Sequence, residues 1–130
     1  EPWRLERLNA IADRMREGYR SLGFNVWSSQ TPIIPVVIGD QMTSLAFWND
    51  LLKEGVFVNP VVPPAVPRGQ SLMRTSYMAT HTDEELDEIL AIFQRVGVKH
   101  GIITEDGKPG HLVSGHGDAR GEAVPPSMGR

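Results

Sequence analysis

The chain has 130 residues, a mass of 14.4 kDa, 40% apolar and 22% charged residues, and a formal net charge of −3. That is enough for one domain with a real core and too little for two of ordinary size. The acidic balance argues against a nucleic-acid or anionic-membrane partner. The absence of cysteine excludes disulfides, thiolate metal sites and cysteine nucleophiles. The apolar run Ile33 to Ile38 falls far short of the roughly 20 residues of a membrane helix. With no leader or lipidation pattern in view, the expectation is a soluble, cytoplasmic domain.

The first helix follows from Leu5, Leu8, Ile11, Met15, Tyr19 and Leu22, which recur at steps of three and four, with Gly23 as its left-handed stop. Ile33 to Ile38 is continuously apolar and predicts a strand buried on both faces. Pro35 lacks an amide proton, so it belongs at an edge or where that donor is not needed. Asp40 or Thr43 caps a second helix with Leu45, Trp48, Leu51 and Leu52 on its apolar face, ended by Gly55.

Val56 to Val58 predicts a short strand, and Ser71 to Met78 another, across a stiff loop rich in proline. Thr82-Asp83-Glu84-Glu85 is a capping box that opens a helix with Leu86, Ile89, Leu90, Phe93 and Val96 inward and Gly97 as its stop. The order αβαββα predicts an α+β fold, a small three-stranded sheet with helices packed on one face. The other face would then be an exposed apolar patch prone to self-association. Residues 1–104 form the domain. Residues 105–130 carry six of the thirteen glycines and three of the ten prolines, and predict a flexible tail.

No phosphate loop, nucleophile elbow or zinc-protease helix occurs. His111, His116 and Asp118 lie in the glycine-rich tail, where no surrounding shell would orient metal ligands. His81, just before the capping box, reads as a local structural residue rather than a base. Lys53, Lys99 and Lys108 read as solvated surface amines.

Arg74 is the informative residue. Strand alternation puts it on one face with Leu72, Ser76 and Met78. A guanidinium on a largely apolar face is expected to be paired, either within an internal ion pair or as a planar fork for a carboxylate or phosphate. The neighbouring proline loop favours the second reading, because such loops act as lids.

Four segments in order resemble one family. They are Thr31-Pro-Ile-Ile-Pro-Val-Val-Ile-Gly-Asp40, Leu51-Leu-Lys-Glu-Gly-Val-Phe-Val-Asn-Pro60, Pro63-Pro-Ala-Val-Pro67 and Met73-Arg-Thr-Ser-Tyr-Met-Ala-Thr-His-Thr82. Together they look like the C-terminal domain of the α-oxoamine synthases, pyridoxal-phosphate enzymes of fold type I. The resemblance covers Trp3 to Thr104. It leans to serine palmitoyltransferase at the proline loop and to glycine C-acetyltransferase at Val96 to Ile103, with 8-amino-7-oxononanoate synthase as a further relative.

The resemblance implies a condensation of an amino acid with an acyl-CoA with loss of CO2. It implies Arg74 as the group that binds the substrate carboxylate, and Pro63, Pro64, Ala65, Val66 and Pro67 as a site-closing loop. It also implies pyridoxal 5'-phosphate in the intact enzyme and a homodimer. The lysine, aspartate and histidine that hold the cofactor in the family lie in a large catalytic domain with no counterpart in this sequence. The 130-residue chain alone is therefore expected to bind no cofactor and to be inactive. A different class of reading, a non-catalytic dimerisation or regulatory domain, would not require Arg74.

Overall fold

The computed structural model describes residues 2–27 and 32–110. Three helices, α1 (Pro2–Leu22), α2 (Gln41–Lys53) and α3 (Asp83–Lys99), pack on a sheet of β1 (Asn25–Val26), β2 (Ile34–Gly39), β3 (Asn59–Val61) and β4 (Ser71–Thr75). Every pairing is antiparallel and the spatial order is β1-β2-β4-β3. The α+β class expected from sequence holds.

The sheet has four strands rather than three. The extra strand, β1, has only two residues, paired as Asn25 with Val37 and Val26 with Val36. A period of two cannot be recognised over that length. The short β1 also accounts for Pro35, because β1 reaches only Val36 and Val37 and leaves β2 without a described neighbour on that side at the proline.

The strand expected at Val56 to Val58 lies further on, at Asn59–Val61. Val56 is occupied elsewhere: its amide donates to Leu51 O at 2.9 Å while Gly55, at φ +89°, donates to Leu52 O at 2.9 Å. That is a Schellman cap on α2, and it uses the backbone that a ladder would need. The same cap closes α1 at Gly23 and Phe24.

The stop expected at Gly97 is two residues early, since α3 runs on to Lys99 and caps at Gly101 and Ile102. Gly97 is a packing glycine. A Cβ there would meet Phe24 Cζ at 2.7 Å. The N-termini of α2 and α3 follow the sequence reading: Asp40 accepts from the Thr43 amide at 2.8 Å, and the Thr82–Glu85 capping box is complete.

The core lies between the helices and one sheet face. Phe93 sits at its centre, with ring centroids of Tyr19, Phe47 and Phe24 at 4.8, 5.5 and 5.7 Å in edge-on geometries. Ile11, Met15, Leu51, Leu86, Ile34, Val36 and Met73 are among the residues packed with it. On α2 the buried residues are Ser44, Phe47 and Leu51; of the expected face Leu51 is buried and Trp48 packs partly buried on the core, while Leu45 and Leu52 lie to the side. Leu5 is 62% exposed and does not join the core.

The domain boundary expected at 104/105 falls inside a folded turn. Thr104 N donates to Lys108 O at 2.8 Å, Ile103 bridges Pro109, and Gly110 N donates to Ile102 O at 2.7 Å. This turn lies against the end of α1, so close that a Cβ on Gly23 would be 2.8 Å from the Lys108 carbonyl. The rest of the expected tail, with His111, His116 and Asp118, lies outside the described residues.

Candidate functional site on the outer sheet face

The second sheet face is divided into a closed half and an open half. In the closed half, Trp27, Val66 and Leu72 form a small buried cluster with Val37 and Val61 against it. Leu72 pairs across the strands with Val37 on one side and Val61 on the other, so all three point to this face. Val66, from the proline loop, is only 8% exposed and seals the cluster. The loop is held by short turns, Ala65 N to Val62 O at 3.0 Å and Gln70 N to Pro67 O at 3.1 Å, with a cis peptide between Pro63 and Pro64. Pro64, Ala65 and Pro67 face solvent, and Pro63 is half-buried.

The open half begins at Arg74, two residues along β4 on the same face as Leu72. Its directly opposite neighbours are Pro35 on β2 and Asn59 on β3. The Arg74 side chain is exposed, and its guanidinium makes no hydrogen bond or ion pair among the described residues. This corrects the expectation of a guanidinium paired within an apolar surface: β4 buries Ser71, Leu72, Met73 and Thr75 and leaves Arg74 alone in water. The reason is the extent of the loop. It covers Leu72 and stops short of Arg74, so the charge stays hydrated. Three large apolar side chains on segments flanking the strands are exposed, Ile33, Phe57 and Met78 at 42, 79 and 61%, the last two at the mouth of the cleft described next.

Next to this face, a cleft of about 280 Å³ runs between the end of β4, the Gly55–Val58 segment and α3. Its floor is a chain of hydroxyls. Thr75 Oγ1 donates to Ile34 O at 2.9 Å, and Tyr77 OH donates to Thr75 Oγ1 at 2.9 Å. Tyr77 has then used its only proton, so the 2.5 Å contact between the two phenols has Tyr19 as donor. Burial pushes the Tyr77 hydroxyl up to about 12, and burial, with the adjacent Tyr77 second, raises that of fully buried Tyr19 as well. Sequence reading took Tyr19 as one apolar helix position and gave Tyr77 no role. Neither phenol has a signal in a single sequence, because the two lie 58 residues apart.

His81 rims the cleft and has a local structural part. Its Nδ1 accepts from the Met78 amide at 2.9 Å, and its carbonyl accepts from Arg7 at 2.9 Å. Lys53 and Lys99 are surface residues near Asp50, at 4.0 and 3.0 Å. Lys99 first, then His100, hold the Asp50 carboxyl below the usual carboxylate range. Lys108 is exposed on the closing turn.

A pyridoxal phosphate site needs an amine able to form an imine and a charged partner for the ring nitrogen. No lysine, aspartate or glutamate lines the cleft, and Arg74 has no such groups as cross-strand neighbours. The described residues do not fit that cofactor. They fit a single anion at Arg74.

Comparison with known proteins places these features in a family. The family model for "Aminotransferase class I and II" matches residues 2–93. Among curated proteins, serine palmitoyltransferase of Bacteriovorax stolpii is 49% identical over 89 residues, covering 68% of this chain and 21% of that protein. The 8-amino-7-oxononanoate synthase of Symbiobacterium thermophilum is 43% identical over 103 residues, covering 79% and 26%. Among solved structures, Sphingomonas wittichii serine palmitoyltransferase superposes with TM-score 0.72 at 35% identity, over 75% of this chain and 25% of that one. A serine palmitoyltransferase from S. paucimobilis with a bound PLP–myriocin aldimine matches with TM-score 0.68 at 35% identity. The chain thus spans about a quarter of the length of the relatives it matches.

Proposed function

This chain belongs to the aminotransferase class I and II family, in its α-oxoamine synthase branch, and from that premise we propose that it is the C-terminal small domain of an acyltransferase of that branch. The reaction would join the α-carbon of an amino acid to the carbonyl carbon of an acyl-CoA, releasing CO2 and free CoA. Pyridoxal phosphate would be held by the other three-quarters of such an enzyme, where electrons from decarboxylation can be accommodated. This domain's share is positional. Arg74 would take the substrate carboxylate in a planar fork, and the loop Pro63 to Pro67 would close the site against water. The whole enzyme would work as a cytoplasmic homodimer.

One observation carries this reading: a single unpartnered arginine in mid-strand on a strand that is otherwise buried, at the border of the face that the proline loop covers. Serine palmitoyltransferase ranks first among the specific activities because of the 49% identity to such a protein, with 8-amino-7-oxononanoate synthase second. A pure dimerisation domain explains the exposed apolar residues Ile33, Phe57 and Met78 but gives Arg74 nothing to do.

The test is a chimera in which residues 2–110 replace the corresponding segment of the Bacteriovorax stolpii enzyme, assayed for CoA release from palmitoyl-CoA and L-serine. Activity is expected. Arg74→Gln should raise KM for the amino acid at least about tenfold, as loss of a charge-assisted bidentate contact implies, and leave KM for acyl-CoA unchanged. A folded, cofactor-loaded chimera without activity, or an Arg74→Gln chimera with unchanged KM for serine, would overturn the proposal.

A further inference from the structure

We infer that Asn59 is the second hydrogen-bonding group of the Arg74 anion site, its side-chain amide donating to the same carboxylate that the guanidinium binds. The inference rests on the carboxylate reading of Arg74 and extends it to a residue on a different strand.

Three observations support it. Asn59 and Arg74 are direct partners in the antiparallel register of β3 and β4. Opposite residues on one face have Cβ atoms about 5 Å apart, so a guanidinium and an amide there can reach one small anion together. Both side chains are exposed, and neither makes a hydrogen bond among the described residues, although Asn offers two N–H donors and Arg five. The third position around the guanidinium is Pro35, which supplies an apolar ring and no donor. A carboxylate on Arg74 therefore has one neighbouring strand that can help hold it, and that strand presents Asn59.

The geometry also says what Asn59 adds. Arg74 and Asn59 are the exposed pair next to the Leu72–Val61 pair that Val66 seals, so an anion between them lies against an apolar wall on that side. A neutral amide donor strengthens anion binding without adding charge, so it favours a planar carboxylate over a simple halide. An acidic residue at this position would instead pair with Arg74 and block the site.

The test uses the 130-residue chain and sodium acetate as probe, followed by NMR of side-chain N–H signals at constant ionic strength, with chloride as the comparison ion. Acetate should shift the Arg74 Nε–H and Asn59 Nδ2–H signals along one saturable curve. Asn59→Ala should weaken that curve about threefold to tenfold, the range of one neutral hydrogen bond, and Asn59→Gln should restore part of the loss. Asn59→Asp, close to isosteric, should abolish it. A saturable Arg74 response that Asn59→Ala leaves unchanged overturns the role of Asn59 and leaves the carboxylate reading standing. No saturable response at Arg74, or one equalled by chloride, overturns both.

Discussion

Tyr77→Phe removes one oxygen and disturbs two hydrogen bonds, so its cost can be worked out from the hydroxyl chain. In the wild-type chain Tyr19 donates to Tyr77, Tyr77 to Thr75, and Thr75 to the Ile34 carbonyl. Tyr19 is fully buried, so without Tyr77 its hydroxyl has no water to turn to. An unsatisfied buried donor costs about 1–3 kcal/mol beyond the hydrogen bond itself, which puts Tyr77→Phe near 2–3 kcal/mol. Tyr19→Phe is milder. It leaves Tyr77 still donating to Thr75 and forfeits one hydrogen bond of about 1 kcal/mol. In the double variant no orphaned phenol remains, so the combined cost should fall below the sum by about 1 kcal/mol. Urea denaturation followed by the fluorescence of Trp27 and Trp48, both packed in the fold, would give the three midpoints. Tyr77→Phe should also lower Tm by roughly 10 °C for a domain of this size. Strictly additive costs, or a Tyr77→Phe no worse than Tyr19→Phe, would refute the donor order.

The same phenols set an alkaline limit. Both titrate higher in the folded chain than in the unfolded one, so their contribution is fully present below about pH 10, the unfolded value, and is lost as pH rises through the folded value, about 12 for Tyr77. The alkaline loss of stability should be shallower in the Tyr19→Phe/Tyr77→Phe variant, as pH-dependent denaturation would measure. Thr82→Ala removes the hydroxyl that accepts from the Glu85 amide, while the residue-82 amide can still donate to the Glu85 carboxylate; losing that half of the α3 capping box should cost about 1 kcal/mol, read as a lower urea midpoint with unchanged slope. Gly97→Ala opposes two effects: about 1 kcal/mol of helix propensity in favour, and 1–3 kcal/mol, roughly, of overpacking against Phe24. Overpacking should win, and a midpoint at or above wild type would show that Phe24 can move aside.

The elements legible in the sequence were those with a local chemical cause. The Asp40 cap, the Thr82–Glu85 box and the glycine stops at Gly23 and Gly55 each need only neighbours within five residues, and each is present. What failed depended on distant partners. Gly97 looks like a stop because a glycine in a helix is usually costly, and only the Phe24 ring shows why it is tolerated within α3. The shift of β3 to Asn59 follows from a cap at Val56 that periodicity does not register. The hydroxyl chain joins residues from α1, β2 and the segment after β4, a proximity that no spacing in the sequence records.

The structure corrects the premise on which Arg74 stands out in the sequence. In the sequence the cost of burying a charge singles out Arg74, yet among the described residues the charge is in water and costs nothing to keep. An unpaired charge at this position becomes costly only when something covers the open half of the face. Ile33, on the segment before β2, and Phe57 and Met78, at the neighbouring cleft, are exposed apolar side chains, so covering them would be favourable by itself. A lid over Arg74 without a counter-charge would leave an unpaired buried cation, costing about 3–5 kcal/mol. On the proposed reading of Arg74, covering and anion binding would support each other: apolar contact would favour closure, and closure would be tolerable once an anion sat on Arg74. Binding at this position would therefore be coupled to closure of the face, and the sealed half, with Val66 already seated on Leu72, is where such a closure would start.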